Sequence, residues 1–190
     1  SLSRLIIVVI VAIVTICLPG KPAAAQQEIL DFRGSATDFL SQNRGRVLVL
    51  FFVRTDCPVS NRYAPLIQQL IKKYGHDASF RLVFPDRNES QEKIRQFLRE
   101  YAYDLPAIRD VDRTLARRTS AKVTPEAAVF DTKSELVYHG RIDNLYERIG
   151  QARRAATKHE LADAIDAAIK GARIQTPVVD GVGCFISDLE

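Results

Sequence analysis

Residues 47–53 form a continuous apolar run rich in β-branched and aromatic side chains, the pattern of a strand buried on both faces of a sheet. From Ser60 the period changes. Tyr63, Leu66, Ile67, Leu70, Ile71 and Tyr74 recur at helical spacing, with Asn61, Arg62, Gln68, Gln69, Lys72 and Lys73 between them, which predicts a helix with one buried face that stops at Gly75. Upstream, residues 28–32 suit a short strand, 37–42 a short helix opening on a capping residue, and Asn43-Arg44-Gly45 a turn. Downstream, residues 79–84 predict a second buried strand and 90–101 an amphipathic helix with Ile94, Phe97 and Leu98 on one face. Residues 107–111 predict a brief strand, and Asp112 a cap for a helix through Ser120. A proline-bearing turn at 123–125 leads straight into an apolar strand, and a hairpin turn at 131–134 leads into another at 135–142. Residues 143–157 have weak periodicity and are expected to be an inserted surface loop, whereas 158–169 form a clean amphipathic helix before Gly171. A βαβ unit followed by a hairpin and a last helix implies a mixed sheet with helices on both faces, an α/β fold.

The length of 190 residues and a hydrophobic fraction of 46% suffice for a single domain with its own core. The first 25 residues stand apart from it. Arg4 precedes an apolar run over 5–18, then come Pro19, Gly20 and Ala23-Ala24-Ala25, the pattern of a secretory signal cleaved before Gln26. The expected organisation is therefore a signal peptide at 1–25, a folded domain at 26–171 and a tail at 172–190 that carries Cys184. The apolar run is shorter than the ~20 residues of a membrane-spanning helix, so no stable span is expected after cleavage. The expected location is the bacterial periplasm, and an uncleaved membrane anchor is the lesser alternative. Loss of Arg4 and Lys21 takes the formal charge from +4 to +2. With charges interspersed and no basic stripe of aromatics, nucleic acid is not an implied partner.

Cys57 and Cys184 survive cleavage, in a compartment that permits disulfides. They can pair as a permanent staple of a redox-inactive binding module, or work as a redox couple; sequence leaves both open. Cys57 sits where the central strand hands over to the helix, and Pro58 suits the first helical turn because its missing N–H has no partner there. Unpaired N–H groups and the positive end of the helix dipole favour thiolate at that place, and Arg54 and Arg62 are nearby cations. Asp56 is read as the cap of the helix; aimed at the sulfur instead, it would raise the thiol pKa. His139 and Arg141 share one face of a strand, while His76 and His159 suit the surface. A copper site would need a second thiol close to Cys57, so neither metal nor cofactor is expected. No phosphate loop, paired carboxylates or Ser-His-Asp pattern stands out.

This order of elements resembles the thioredoxin fold, a three-layer sandwich. More closely, T-D-C-P-V-S-N-R-Y-A-P at 55–65, V-T-P-E-A at 123–127, Y-H-G-R-I-D-N at 138–144 and V-G-C-F-I at 182–186 resemble a peroxiredoxin-like redoxin family of secreted bacterial proteins, AhpC/TSA-like, over residues 28–186. The resemblance implies that Pro125 is the cis-proline facing the active cysteine, with the Thr124 backbone beside Cys57 and free to pair with an extended substrate chain. It also exposes two departures. Where thioredoxins carry C-x-x-C, this chain has Cys57-Pro58-Val59-Ser60; a serine hydroxyl can support a thiolate but cannot form the disulfide that releases a substrate. Release then needs the substrate's own thiol, an external thiol such as glutathione, or Cys184. Counting back from Cys57 in the peroxiredoxin pattern P-x-x-x-T-x-x-C gives Leu50 and Arg54, and aligning the peroxidatic position with Ser60 removes the nucleophile. The implied function is that of an exported thiol-disulfide oxidoreductase or peroxiredoxin-like thiol enzyme. Its partners would be a protein or small-molecule disulfide or thiol, or a peroxide, with an external thiol reductant.

Overall fold

A computed structural model describes residues 29–33 and 35–187; the expected signal segment, with Cys17, lies outside the described residues. In chain order the elements are β1 (Ile29–Asp31), α1 (Ala36–Ser41), β2 (Val47–Phe52), α2 (Pro58–Tyr74), β3 (Ala78–Phe84), α3 (Gln91–Glu100), β4 (Ala107–Arg109) and α4 (Thr114–Thr119). The second half comprises β5 (Val123–Thr124), β6 (Glu126–Phe130), β7 (Leu136–Gly140), β8 (Tyr146–Arg148), β9 (Gln151–Ala152), α5 (Glu160–Ile169), β10 (Val178–Val179) and β11 (Cys184–Phe185).

The unbroken apolar run does become the central strand. β2 is buried at every position and lies in the middle of the order β1-β4-β3-β2-β6-β7-β10. It runs parallel to β3 and antiparallel to β6, so the first half is a parallel unit and the hairpin β6-β7 supplies antiparallel strands. Alternation along β2 feeds two cores. Val47, Val49 and Phe51 pack with Ile67 and Leu70 of α2, Ile94 and Leu98 of α3, and Leu161 and Ile165 of α5. Leu48, Leu50 and Phe52 pack with Leu40 of α1 and Leu115 and Ala116 of α4. Helices thus cover both faces, the three-layer α/β architecture expected. Among the described residues no helix is long and apolar enough to cross a membrane.

Two helix caps fall elsewhere than their local sequence suggests. α1 opens one residue before Thr37, with Ser35 accepting from the Asp38 N–H. In α4 the capping carboxylate is not Asp112 but buried Asp110, which accepts from the N–H groups of Leu115 (3.2 Å) and Ala116 (2.9 Å). Arg113 takes the N-cap position in the left-handed region, φ 54°, and that turn carries the reach back by two residues. The segment at 143–157 is more than a loop. It contains the antiparallel pair β8-β9, and its base is closed by Asn144, whose side chain accepts from the Thr157 and Lys158 N–H groups and donates to Thr157 Oγ1. The tail re-enters the fold twice. β10 extends the main sheet beside β7, with Val179 opposite Gly140. Gly140 has φ 141°, and a Cβ there would stand 1.8 Å from the Val179 oxygen, so only glycine admits this strand. β11 pairs antiparallel with β5.

Candidate functional site

The site forms where β2 ends. Val53 makes a last ladder bond to Val83, and the chain turns through Arg54–Asp56 into α2. Cys57 is the N-cap residue, extended at φ −86° and ψ 112°, with Pro58 at the first helical position and the Cys57 carbonyl accepting from the Asn61 N–H at 3.0 Å. Asp56, expected as the cap, lies one residue too early. It is 66% exposed at its side chain and pairs instead with Arg54 at 2.9 Å. The Arg54 guanidinium also meets Asp86 at 3.3 Å and the Phe185 carbonyl at 3.4 Å, so it is committed to neighbours other than the Cys57 sulfur. The turn itself is pinned from two sides: Ser60 Oγ accepts from the Arg54 N–H at 3.4 Å, and Glu89 Oε1 accepts from the Thr55 N–H at 2.6 Å.

Across from Cys57 lie Thr124 and Pro125, joined by a cis peptide bond. The Cys57 thiol donates to the Thr124 carbonyl at 3.1 Å. On its other side β5 is already paired, and its partner is this chain's own tail. Cys184 stands opposite Thr124 and Phe185 opposite Val123. The Thr124 hydroxyl donates to the Cys184 carbonyl at 3.4 Å, and the Ile186 N–H to the Lys122 carbonyl at 2.9 Å. Ile186 is buried in the α1/α4 core. Gly183 lies so close that a Cβ would come within 2.0 Å of the Thr124 oxygen. Under this cover Cys57 is 0% exposed, whereas Phe185 points outward at 75%.

Cys57 and Cys184 are both free thiols, and Cys184 is half-buried. Each influences the ionisation of the other. Burial by itself pushes the Cys57 thiol up, but hydrogen bonds from the Cys184 thiol, from the N–H and hydroxyl of Ser60 and from Thr124 outweigh it and bring Cys57 below the ordinary thiol value. The sulfur makes no capping hydrogen bond to α2 as a thiol; the Ser60 groups act on the charged form. The carbonyl of Thr124 works the other way, since it can accept only from S–H. Cys184 is pushed up to about 12, by burial first and then by donating to, and standing beside, the Cys57 sulfur. Cys57 is therefore the easier of the two to ionise, and Cys184 stays protonated beside it.

The structure brings together Cys57, Pro58, Ser60, Thr124, Pro125 and Cys184, and leaves Asp56 at the surface. It adds two buried carboxyls. Glu89 carries no sequence signal beyond its charge in a loop. Glu126 does carry one, a charge opening the apolar run Ala127–Phe130. It is 5% exposed; its Oε2 accepts from the N–H groups of Lys122 (2.8 Å) and Val123 (3.5 Å), and its Oε1 from that of Gly181 (3.1 Å). Burial raises the carboxyl pKa of both Glu126 and Glu89 against these bonds. His139 sits on β7 opposite Val178, and Arg141 is ion-paired with Glu160. A cavity of about 660 Å³ lined by Arg141, His159, Glu160, Asp163 and Asp180 lies apart from both thiols. Among the described residues no cluster of three or more His, Cys, Asp or Glu is arranged to hold a metal ion.

Residues 23–139 match the AhpC/TSA family. No curated protein matches the chain in sequence. Many solved structures share its architecture. An uncharacterised conserved protein from Geobacillus kaustophilus superimposes with TM-score 0.66 at 21% identity, covering 76% of this chain and 78% of its own. A hypothetical protein from Sinorhizobium meliloti gives 0.63 at 23% identity, covering 78% and 82%. The pneumococcal exposed lipoprotein thioredoxin Etrx1 from Streptococcus pneumoniae gives 0.50 at 20% identity, covering 70% and 89%. At these identities the likeness is one of fold, and the fold is thioredoxin-like.

Proposed function

Because the chain belongs to the AhpC/TSA family of thioredoxin-fold redoxins, we propose that it is a thiol oxidoreductase in which Cys57 is the nucleophile and Cys184 the resolving thiol. The observation that carries this reading is the pair itself: Cys184 lies on a strand held opposite Thr124, whose carbonyl the Cys57 thiol meets at 3.1 Å, and the two thiols influence each other so that Cys57 is the easier to ionise. In the first step the Cys57 thiolate attacks one sulfur of a substrate disulfide, forming a mixed disulfide and releasing the other sulfur as thiolate. With a hydroperoxide it attacks the terminal oxygen, leaving Cys57 sulfenic acid and an alkoxide that is protonated to the alcohol. In the second step Cys184, as thiolate, attacks the Cys57 sulfur, expels the remaining substrate thiolate or hydroxide, and forms the Cys57–Cys184 bond.

The electrostatics suit this order. Burial and the Cys57 sulfur keep Cys184 protonated at rest, and oxidation of Cys57 removes the second of these influences. Cys184 then becomes a stronger acid at the moment it must attack. An external dithiol gives two electrons to reduce the bond and restores both thiols. Complete cover over Cys57 favours a small oxidant, a peroxide or low-molecular-weight disulfide, over the disulfide of a folded protein. Ser60 in place of a second cysteine leaves resolution to the tail.

Export is part of the same proposal. It rests on the signal pattern at 1–25 and is in keeping with the exposed location named for the pneumococcal neighbour; cell fractionation with N-terminal sequencing of the product tests it. The chemistry is tested by oxidising the reduced protein stoichiometrically and mapping its tryptic peptides without reduction. Wild type should yield linked Cys57 and Cys184 peptides, and Cys184→Ser should instead retain an oxidised or substrate-linked Cys57. Substrate consumption by Cys57→Ser at the wild-type rate would refute the assignment.

A further inference from the structure

Resting on that two-thiol reading, we propose that Glu126 is the positioning residue of the couple: its buried carboxylate latches the C-terminal segment to strand β5 and so sets Cys184 over Cys57. Glu126 follows Pro125 directly and stands opposite Phe52, at the end of β2 from which the Cys57 turn departs. One of its oxygens binds the approach to β5, at the N–H groups of Lys122 and Val123; the other binds the tail, at the N–H of Gly181. A single carboxylate therefore spans the two segments whose separation decides where Cys184 lies.

Position along the tail strengthens the case. Downstream of Cys184 the tail is fixed by buried Ile186 and its bond to Lys122. Upstream it enters through Val182 and Gly183 from Gly181. Beside the backbone pairing of β11 with β5, the side-chain ties near Cys184, from Thr124 Oγ1 to the Cys184 carbonyl and from Arg54 to the Phe185 carbonyl, are each long at 3.4 Å. Two residues back from Gly181 the Arg141 N–H holds the Val179 carbonyl at 3.1 Å, but that bond ties the tail to β7; the Gly181 bond ties the stretch between Val179 and Cys184 to the β5 side. The carboxylate is costly where it sits, in a strand otherwise made of Ala127, Ala128, Val129 and Phe130, and charge-assisted bonds from three backbone N–H groups offset that cost. Gly181 is shaped to the latch: a Cβ there would stand 2.5 Å from Glu126 Oε1, 2.6 Å from its Cγ and 2.8 Å from Val123 Cγ2.

Two variants of the full chain test the latch from its two sides. Glu126→Gln replaces one accepting oxygen by an N–H₂ group that opposes a backbone donor. Gly181→Ala leaves the carboxylate and β6 unaltered but drives the tail away from it. In both, closure of the Cys57–Cys184 bond after stoichiometric hydrogen peroxide or oxidised glutathione should slow about tenfold, the worth of one charge-assisted hydrogen bond. The midpoint of the Cys57 thiolate absorbance titration should rise as the Cys184 thiol drifts away, and labelling of Cys57 by N-ethylmaleimide should quicken as its cover loosens. A role in folding alone would lower stability without moving that titration. If wild type never forms the bond, the two-thiol reading falls, and the latch is then judged by labelling and titration: faster labelling with a raised midpoint in both variants sustains it. Wild-type closure, labelling and titration in both variants overturn it.

Discussion

At the scale of single residues, two chemically identical thiols are made unlike by what surrounds them. Cys57 is surrounded by donors and is drawn below the ordinary thiol value despite burial; Cys184 is a donor itself and is pushed up to about 12. The consequences for stability have opposite signs. The Cys57 contribution is present above the ordinary thiol pKa and is lost as pH falls through its lowered native value, whereas that of Cys184 is present below the ordinary thiol pKa and is lost as pH rises toward 12. Labelling of each cysteine with iodoacetamide across pH, read by peptide mass spectrometry, should place the Cys57 midpoint below the ordinary thiol range and the Cys184 midpoint far above it. Ser60 supplies part of the difference and also accepts from the Arg54 N–H. Ser60→Ala should raise the Cys57 midpoint and, by leaving the half-buried Arg54 N–H without its partner, cost about 1 kcal/mol in urea unfolding. The place of Cys57 was legible from the change of hydrophobic period around it, and that of Ser60, one turn into the helix, from its spacing. Asp56 was misplaced because a residue beside the junction has two outlets, the helix N–H groups and a neighbouring cation, and only the fold shows Arg54 within 2.9 Å.

At the scale of elements, long strands and helices follow from local pattern, and short ones do not. β2, β3, β6, α2, α3 and α5 each carry enough periodic apolar residues to declare themselves. β5, β10 and β11 are two residues long and exist because a distant partner satisfies their backbone. Glycines set their limits. Gly183→Ala would thrust a Cβ to 2.0 Å from the Thr124 oxygen, a backbone atom that cannot step aside, so β11 should lift from β5. Hydrogen exchange at residues 184–186 should accelerate markedly while β2 remains protected. The α4 cap makes a similar point about distance. Asp110→Ala removes two side-chain bonds to the helix start and should lower stability by about 1–2 kcal/mol in a denaturant melt, whereas Asp112→Ala, lacking those bonds, should fall well short of that.

At the scale of the whole molecule, burial has left three carboxyls among the described residues, Glu89, Asp110 and Glu126, with native pKa values above the usual carboxylate range. Each binds its proton more tightly when folded. Each therefore contributes stability that is present below the unfolded value, near 4, and is lost as pH rises through the higher native value. Among the described residues Glu160, lowered by its bond to Arg141 despite burial, and His139, lowered by burial, oppose them. The Tm should accordingly decline as pH rises from about 4 toward neutrality, and Glu126→Gln should flatten that decline, as measured by calorimetry over the same range.

The sequence by itself determined the layered α/β fold and the strand-to-helix junction that carries Cys57, and it showed that no disulfide can form within Cys57-Pro58-Val59-Ser60. These are local matters: periodicity of burial, the geometry of a helix start and the chemistry of a serine. Tertiary structure alone decided that the tail closes over Cys57, that Cys184 meets it across Thr124, and that Glu126 ties the two segments together. The reason is physical. A tail of two-residue strands has no intrinsic preference strong enough to read, and its course is fixed by backbone hydrogen bonds to β5, by the seat that Gly183 finds against Thr124, and by a carboxylate whose partners lie as far as 55 residues away.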